Sequence, residues 1–344
     1  MFTSNASSHF TGSNPIRAGL YRRFLVLGLL SVLLLSVSGC DYRGAVGDGP
    51  GESLESITIG LLPIVDSLPF FVADQQGYFT TEGVEVNLQV YQSALLRDTA
   101  LQAREVDGFL GDILAALALR NAGYAVKIAS ISLGATPAEG RFAILAAPGS
   151  SINSVEDLKG VDIALSQNTI IEYVVDRLLT HNGFSPEDIK DLVIPRIPDR
   201  FQMLMSGEIE AACLPDPLAS FAAHQGAKLI LDDSADINVS QTIILFTEES
   251  MDQKSEAIRR MFAAYSRAVE DINANPDAYR DLLVEKARLP EPIRDAYLVD
   301  HFPQPQVPTV DQVEEVIRWM DGKGLLEPGM TYEEIVTDDF VSGK

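Results

Sequence analysis

The stretch Ile57–Tyr91, ITIGLLPIVDSLPFFVADQQGYFTTEGVEVNLQVY, decides the fold class. It opens with an apolar run over Ile57–Leu62 that reads as a strand, turns through PIVDS, and predicts a helix over Pro69–Gln76 that stops near Gly77. It closes on Val84–Tyr91, where apolar and polar residues alternate as in a second strand. Parallel neighbours need a crossover long enough to hold a helix, so strand, helix, strand predicts an α/β fold with mostly parallel sheets.

The same rhythm extends outward. Ala94–Arg104 reads as a helix, Val106–Leu110 as a strand, Ile113–Asn121 as a helix ending at Gly123, and Val126–Ile131 and Phe142–Ala146 as strands that complete a first set. Pro148-Gly149 marks a turn, and a second series follows. Ser154-Val155-Glu156-Asp157 has the form of a helix-capping box. Strands are predicted over Val161–Leu165, Asp191–Ile194, Ala211–Leu214 and Lys228–Leu231, with helices over Ile170–Asn182 and Arg200–Gly207. Thr242–Phe246 is expected to cross back into the first set, which makes the second lobe an insertion in the first. The C-terminal part reads as helical. Ile258, Met261, Phe262, Tyr265, Val269 and Ile272 keep to steps of three and four and form one apolar stripe ended by Asn275-Pro276. Further helices are expected near 277–288, 291–300 and 310–322, the last opened by a capping box at Thr309 and Gln312.

Upstream of the fold, Arg17, Arg22 and Arg23 precede an apolar run from Phe24 to Val37 that is too short to span a bilayer and fits an export signal. It runs into Val37-Ser38-Gly39-Cys40, which resembles a bacterial lipobox, whose cysteine is lipidated after cleavage. Residues 1–39 are thus expected to be a lipoprotein signal and residues 40–56 a lipidated Cys40 followed by a Gly-rich, acidic tether with a reach of about 20 Å. Asp41 resembles the signal that retains lipoproteins in the inner membrane of many Gram-negative cells. The expected location is extracytoplasmic, anchored through the lipid.

Composition narrows the function. The chain has 344 residues with 49 acids against 26 Lys and Arg, a formal charge of −23. That balance excludes a nucleic-acid-binding surface, which needs clustered cations to neutralise phosphates. The two cysteines, Cys40 and Cys213, exclude a disulfide scaffold and a CxxC zinc site. No phosphate loop, HExxH, GxSxG or correctly placed GxGxxG occurs. Cys213 lies inside an apolar strand and reads as a core residue. No enzyme activity, cofactor or metal is expected.

Ligands of open α/β sheets sit at the carboxyl ends of strands, near helix N-termini. Those positions are Asp66 and Ser67 after the first strand, Tyr91, Gln92 and Ser93 after the second, and Gly111 and Asp112 after the third. In the second lobe they are Gln167, Asn168 and Thr169, and Asp216 within Pro215-Asp216-Pro217. Ser166, Gln167, Asn168, Ser67 and Asp66 also read as ordinary helix caps or turn formers. Their clustering on both lobes is what favours a shared solute cleft.

The lipobox, then Leu62–Tyr91, then Leu101–Gly123 (LQAREVDGFLGDILAALALRNAG) and Ser154–Asp162 (SVEDLKGVD) together resemble solute-binding proteins of ABC importers in the SsuA/THI5-like group of nitrate, sulfonate, taurine and thiamine-pyrimidine binders. The resemblance spans about residues 57–250. It implies a two-lobed type II periplasmic-binding-protein fold with two crossing strands, taken as Phe142–Ala146 and Thr242–Phe246. Lobe one is then 57–145 and 245–344, and lobe two 146–244. It also implies a monomer that closes over a small-molecule solute and docks on a membrane permease. Asp66, Asp112, Glu172 and Asp216 on the rim outweigh Arg141, Arg196 and Arg200, and Phe70, Phe71, Tyr91, Phe142 and Tyr173 could stack a ring. A neutral or amine-bearing, pyrimidine-like heterocycle is therefore favoured over a sulfonate, taurine or nitrate anion. Some THI5-like relatives are pyrimidine-forming enzymes that use a protein histidine and iron, but His181, His224 and His301 fall away from the predicted strand ends. A lipoprotein that binds a partner protein is the remaining alternative.

Overall fold

The fold rests on ten strands, β1 (Glu55–Leu61), β2 (Val84–Val90), β3 (Gly108–Asp112), β4 (Val126–Leu133), β5 (Phe142–Ala146), β6 (Asp162–Leu165), β7 (Lys190–Val193), β8 (Ala211–Pro215), β9 (Lys228–Asp232) and β10 (Thr242–Thr247). The structure is a computed structural model and describes residues 54–139, 142–234, 237 and 239–341, all within one folded unit. The signal, Cys40, most of the tether and Arg141 lie outside the described residues.

The strands form two sheets of five, in the orders β2-β1-β3-β10-β4 and β7-β6-β8-β5-β9. β1 pairs in parallel with β2 and β3, and β10 runs antiparallel between β3 and β4. The second sheet repeats this plan, with β6 parallel to β7 and β8, and β5 antiparallel between β8 and β9. Sequence chemistry explains the order. Central β3, β8 and β10 are almost continuously apolar and buried, as strands covered on both faces must be, whereas edge β2 alternates and edge β7 is largely exposed. Successive side chains serve opposite faces. Thus Phe109, Ile243 and Leu245 join one core, and Leu110, Ile244 and Phe246 the other.

The helix Ser255–Ala274 buries Ile258, Met261, Phe262, Tyr265, Val269 and Ile272 against β1, as its spacing predicts. Each such aliphatic or aromatic side chain contributes about 1.5–3 kcal/mol over its exposed state. The helix Val310–Gly322 carries the predicted Thr309–Gln312 capping box. No helix among the described residues is long and apolar enough to cross a membrane.

Three readings need correction. Phe142–Ala146 belongs to the second sheet, not the first, because its partners are β8 and β9. The chain therefore leaves the first sheet after Leu133, and the links on either side of the second sheet are the non-strand segments between β4 and β5 and between β9 and β10. These segments touch, since a Cβ on Gly134 (φ 88°) would lie 2.9 Å from Gln241 Cα. The helix expected near 291–300 is a single 3-10 turn, Glu291–Ile293. Arg280 Nη1 donates to the carbonyls of Arg294 and Tyr297, replacing helical partners with a side chain. Finally, a helix Leu218–His224 forms after Pro217, where none was predicted.

Candidate functional site

In the first lobe, Asp66 lies in the 3-10 turn Val65–Ser67 that follows β1. Ser67 is fully buried and its hydroxyl donates to the Leu62 carbonyl at 2.8 Å, so it closes the turn. Thr242 hydrogen-bonds the Asp66 carboxylate, and its hydroxyl oxygen also accepts from the Leu133 amide at 3.0 Å. Burial nevertheless pushes the Asp66 carboxyl up to about 6, against the hydrogen bonds that favour its charge. Thr242 stands opposite Asp112 in the β3–β10 ladder, so the ends of β1, β3 and β10 converge. Asp112 caps the helix Ile113–Asn121 through the Ala115 amide at 2.8 Å. Burial raises its pKa, countered by the positive charge of Arg97.

Arg97, which the sequence reading did not single out, is 1% exposed. Its guanidinium donates to Asp98 (2.7 and 3.0 Å) and to the Leu110 carbonyl (2.8 Å), and lies 4.1 Å from the Phe109 ring centre. It fits because Gly111 has no side chain, since a Cβ there would come within 3.1 Å of the guanidinium carbon. Tyr91 is half-buried, which raises its phenol pKa, and its amide donates to Leu61. Gln92 and Ser93 are exposed. Ser93 caps the helix Ala94–Gln102, and Gln92 accepts from Arg288.

In the second lobe, Ser166 follows β6, donating to the Pro195 carbonyl at 3.0 Å and accepting from Arg200 Nη1 at 2.6 Å. Arg200 is fully buried, with one further bond from Nη1 to the Ile194 carbonyl, while its Nε and Nη2 have no partner among the described residues. Burial lowers its pKa. Gln167 and Asn168 are exposed, and Asn168 holds a left-handed backbone (φ 58°) while its amide donates to Glu172. Thr169 caps the helix Ile170–His181, accepting from the Ile171 amide at 3.2 Å. Asp216 accepts from the Ser220 amide at 2.8 Å, at the start of Leu218–His224.

A cavity of about 490 Å³ lies between Asp216, Ser220 and His224 of the second lobe and the Ile293–His301 segment, bordered by Ala138 and Ser234 of the linking segments. Of the residues selected from sequence, only Asp216 lines it. The strand-end reading missed His224 and His301, which reach it through the unpredicted helix and the irregular 293–301 segment. Cys213 is buried and its thiol is pushed up to about 12, so it is no nucleophile.

The family NMT1/THI5 like matches residues 65–279, more than half of the chain. The chain belongs to the NMT1/THI5-like family. A candidate aliphatic sulfonates-binding protein of Escherichia coli (strain K12) is 27% identical over 49% of this chain and 52% of its own, so the chain spans about half the length of that relative. A candidate ABC transporter periplasmic binding protein of Brachyspira hyodysenteriae is 23% identical over 74% of this chain and 75% of its own. Among solved structures, the alkanesulfonate-binding protein SsuA from Xanthomonas axonopodis pv. citri bound to MOPS superposes with TM-score 0.69 at 17% identity, covering 82% of this chain and 98% of that one. The desulfurization enzyme DSZB also shares the fold, with TM-score 0.63 at 17% identity over 83% of this chain and 97% of its own. The fold is that of type II periplasmic binding proteins.

The shared sheet plan of this NMT1/THI5-like chain puts its two buried arginines in equivalent places. Each is the fourth residue of the helix after the outer parallel strand, Arg97 in Ala94–Gln102 after β2 and Arg200 in Ile197–Ser206 after β7. Arg97 is followed by Asp98, its counterion, whereas Arg200 is followed by Phe201. Aligning the β1–β3 register on the β6–β8 register sets Phe109 against Ala212. The second lobe therefore lacks both the acid and the ring that occupy the first arginine.

Proposed function

We propose that this protein is the extracytoplasmic solute-binding component of an ABC importer, and that its solute carries a sulfonate-like oxyanion. The observation that carries the anion is Arg200, a fully buried guanidinium beneath the end of β6 with Nε and Nη2 unpartnered among the described residues. A buried charge without a counterion is costly, and an oxyanion seated at Ser166 would relieve that cost. The acids that argued against an anion weigh less in their surroundings. Burial raises the proton affinity of Asp66 and Asp112, and Glu172 is engaged by Lys323 at 2.8 Å. The sulfonate-binding relatives point the same way.

The amino-heterocycle reading keeps one supporting observation, the convergence of Asp66 and Asp112 around Thr242, where an amine could be received. Binding would favour a closed arrangement by contacting both lobes at once, since only differential affinity shifts a population. The lobes are assigned as about 54–133 with 242–341 and about 142–232. Lipidation of Cys40 would hold the protein beside its permease, and the lipobox is what supports it.

Calorimetry of the purified protein against ethanesulfonate, taurine, nitrate and aminopyrimidines tests the solute. Saturable binding of a sulfonate is expected, and binding of aminopyrimidines alone would transfer the assignment to the acids of the first lobe. Membrane release of a Cys40→Ser variant tests the anchor.

A further inference from the structure

The helix Val310–Gly322 is tied to the first lobe. It packs on Ile113–Asn121, and the chain beyond it bonds back through Thr337 N to the Ile128 carbonyl at 2.9 Å and a parallel bridge of Val336 to Ile128. Its other side grips the second lobe's helix Ile170–His181. Lys323 Nζ reaches Glu172 at 2.8 Å and Asp176 at 2.9 Å, Trp319 Nε1 donates to Asp176 at 2.9 Å, and the Trp319 ring meets Tyr173 edge-on at 5.4 Å. The Glu172 side chain is only 2% exposed and uses both oxygens, Oε1 for Lys323 and Oε2 for the amide of Asn168. One buried carboxylate thus joins a cation of the first lobe to the left-handed turn at the end of β6.

We propose that Glu172 and Lys323 are positioning residues for the Gln167–Thr169 turn, and that Trp319, beside them, registers solute binding. The inference rests on the reading that this strand end meets the solute. Burying a carboxylate with no cation beside it is costly, so the hold of Glu172 on Asn168 is tied to Lys323, which follows a helix packed on the first lobe. The shape of the solute-contacting turn is thereby coupled to how the lobes meet. Burial lowers the pKa of Lys323, but its bonds to Glu172 and Asp176 raise it overall.

The chain has a single tryptophan, so its emission reports this contact alone. Titration of the wild-type protein with ethanesulfonate is expected to change Trp319 emission with the calorimetric midpoint. Lys323→Met should raise hydrogen exchange at the Asn168 amide and weaken ethanesulfonate binding, each by roughly tenfold, within the usual range of coupling between sites. Lys323→Arg should restore both. Wild-type exchange and affinity in Lys323→Met would overturn the proposal, as would a loss that Lys323→Arg fails to rescue, which marks general packing. If the wild type does not bind ethanesulfonate, the solute reading fails, while exchange at Asn168 still decides the coupling. Should Lys323→Met not fold, Asp176→Asn replaces it with the same expected direction, and unchanged exchange there overturns the proposal.

Discussion

Arg97 and Arg200 occupy the same place in two sheets of the same plan, and they are handled oppositely. The first lobe surrounds its arginine with Asp98, the Leu110 carbonyl and the Phe109 ring. The second gives its arginine a serine hydroxyl and one carbonyl, both to the same nitrogen. A paired buried cation is structural, because removing it strands its partners. An unpaired one is a standing cost that a ligand can relieve. On the proposed function the two arginines have different duties, one structural and one toward the solute, and that difference can be broken experimentally.

The largest effect is expected for Arg97→Met, which leaves Asp98 without its cation and a gap beside Phe109. Urea denaturation should show a loss of about 3–5 kcal/mol. Arg200→Met should stay within about 1 kcal/mol of the wild type, since no counterion is stranded. Its ethanesulfonate affinity should fall about a hundredfold, the worth of one or two charge-assisted hydrogen bonds. Equal destabilisation by the two substitutions would erase the distinction. Asp98→Ala makes the first lobe resemble the second, and a loss of about 1.5–3 kcal/mol is expected from the hydrogen bonds removed from a buried charge.

A smaller effect separates the acids of the first rim. Because the Asp66 carboxyl sits at about 6 in the fold against an ordinary 3.8, the native state holds its proton longer than the unfolded chain does. Its favourable contribution is complete below the ordinary value and is lost as pH rises through about 6. Asp66→Asn should therefore match the wild type in acid and melt several degrees higher at neutral pH by calorimetric scanning. A constant difference across pH would mean that the carboxylate is not the source. The smallest effect is at Cys213, whose buried thiol should remain unlabelled by iodoacetamide in the native protein and react only on unfolding.

Local pattern made much of this readable. The ten strands were legible because each is a short apolar or alternating run bounded by turn residues, and the helix Ser255–Ala274 because its stripe keeps to helical spacing. The capping box at Thr309 and Gln312 was legible too, but the caps at Ser93, Asp112 and Thr169 were not, and Ser67, read as a possible cap, makes no side-chain cap bond. Arg97 was not, since an arginine in an amphipathic helix reads as surface, and only the room left by Gly111 lets it turn inward. His224 and His301 were discounted because nothing local signals that Leu218–His224 and the 293–301 segment face one another across a cavity.

The sequence by itself determined the order of the strands, the polar character of the strand ends and the acidity of the whole chain. Each of these follows from the chemistry of neighbours within a few residues. Only the tertiary structure decided that Phe142–Ala146 pairs with β8 and β9, that Asp66 and Asp112 converge on Thr242, and that one buried arginine is satisfied while its counterpart is not. Those outcomes depend on strand register and on which side chains fill the space around a charge, and such contacts join residues tens to well over a hundred positions apart.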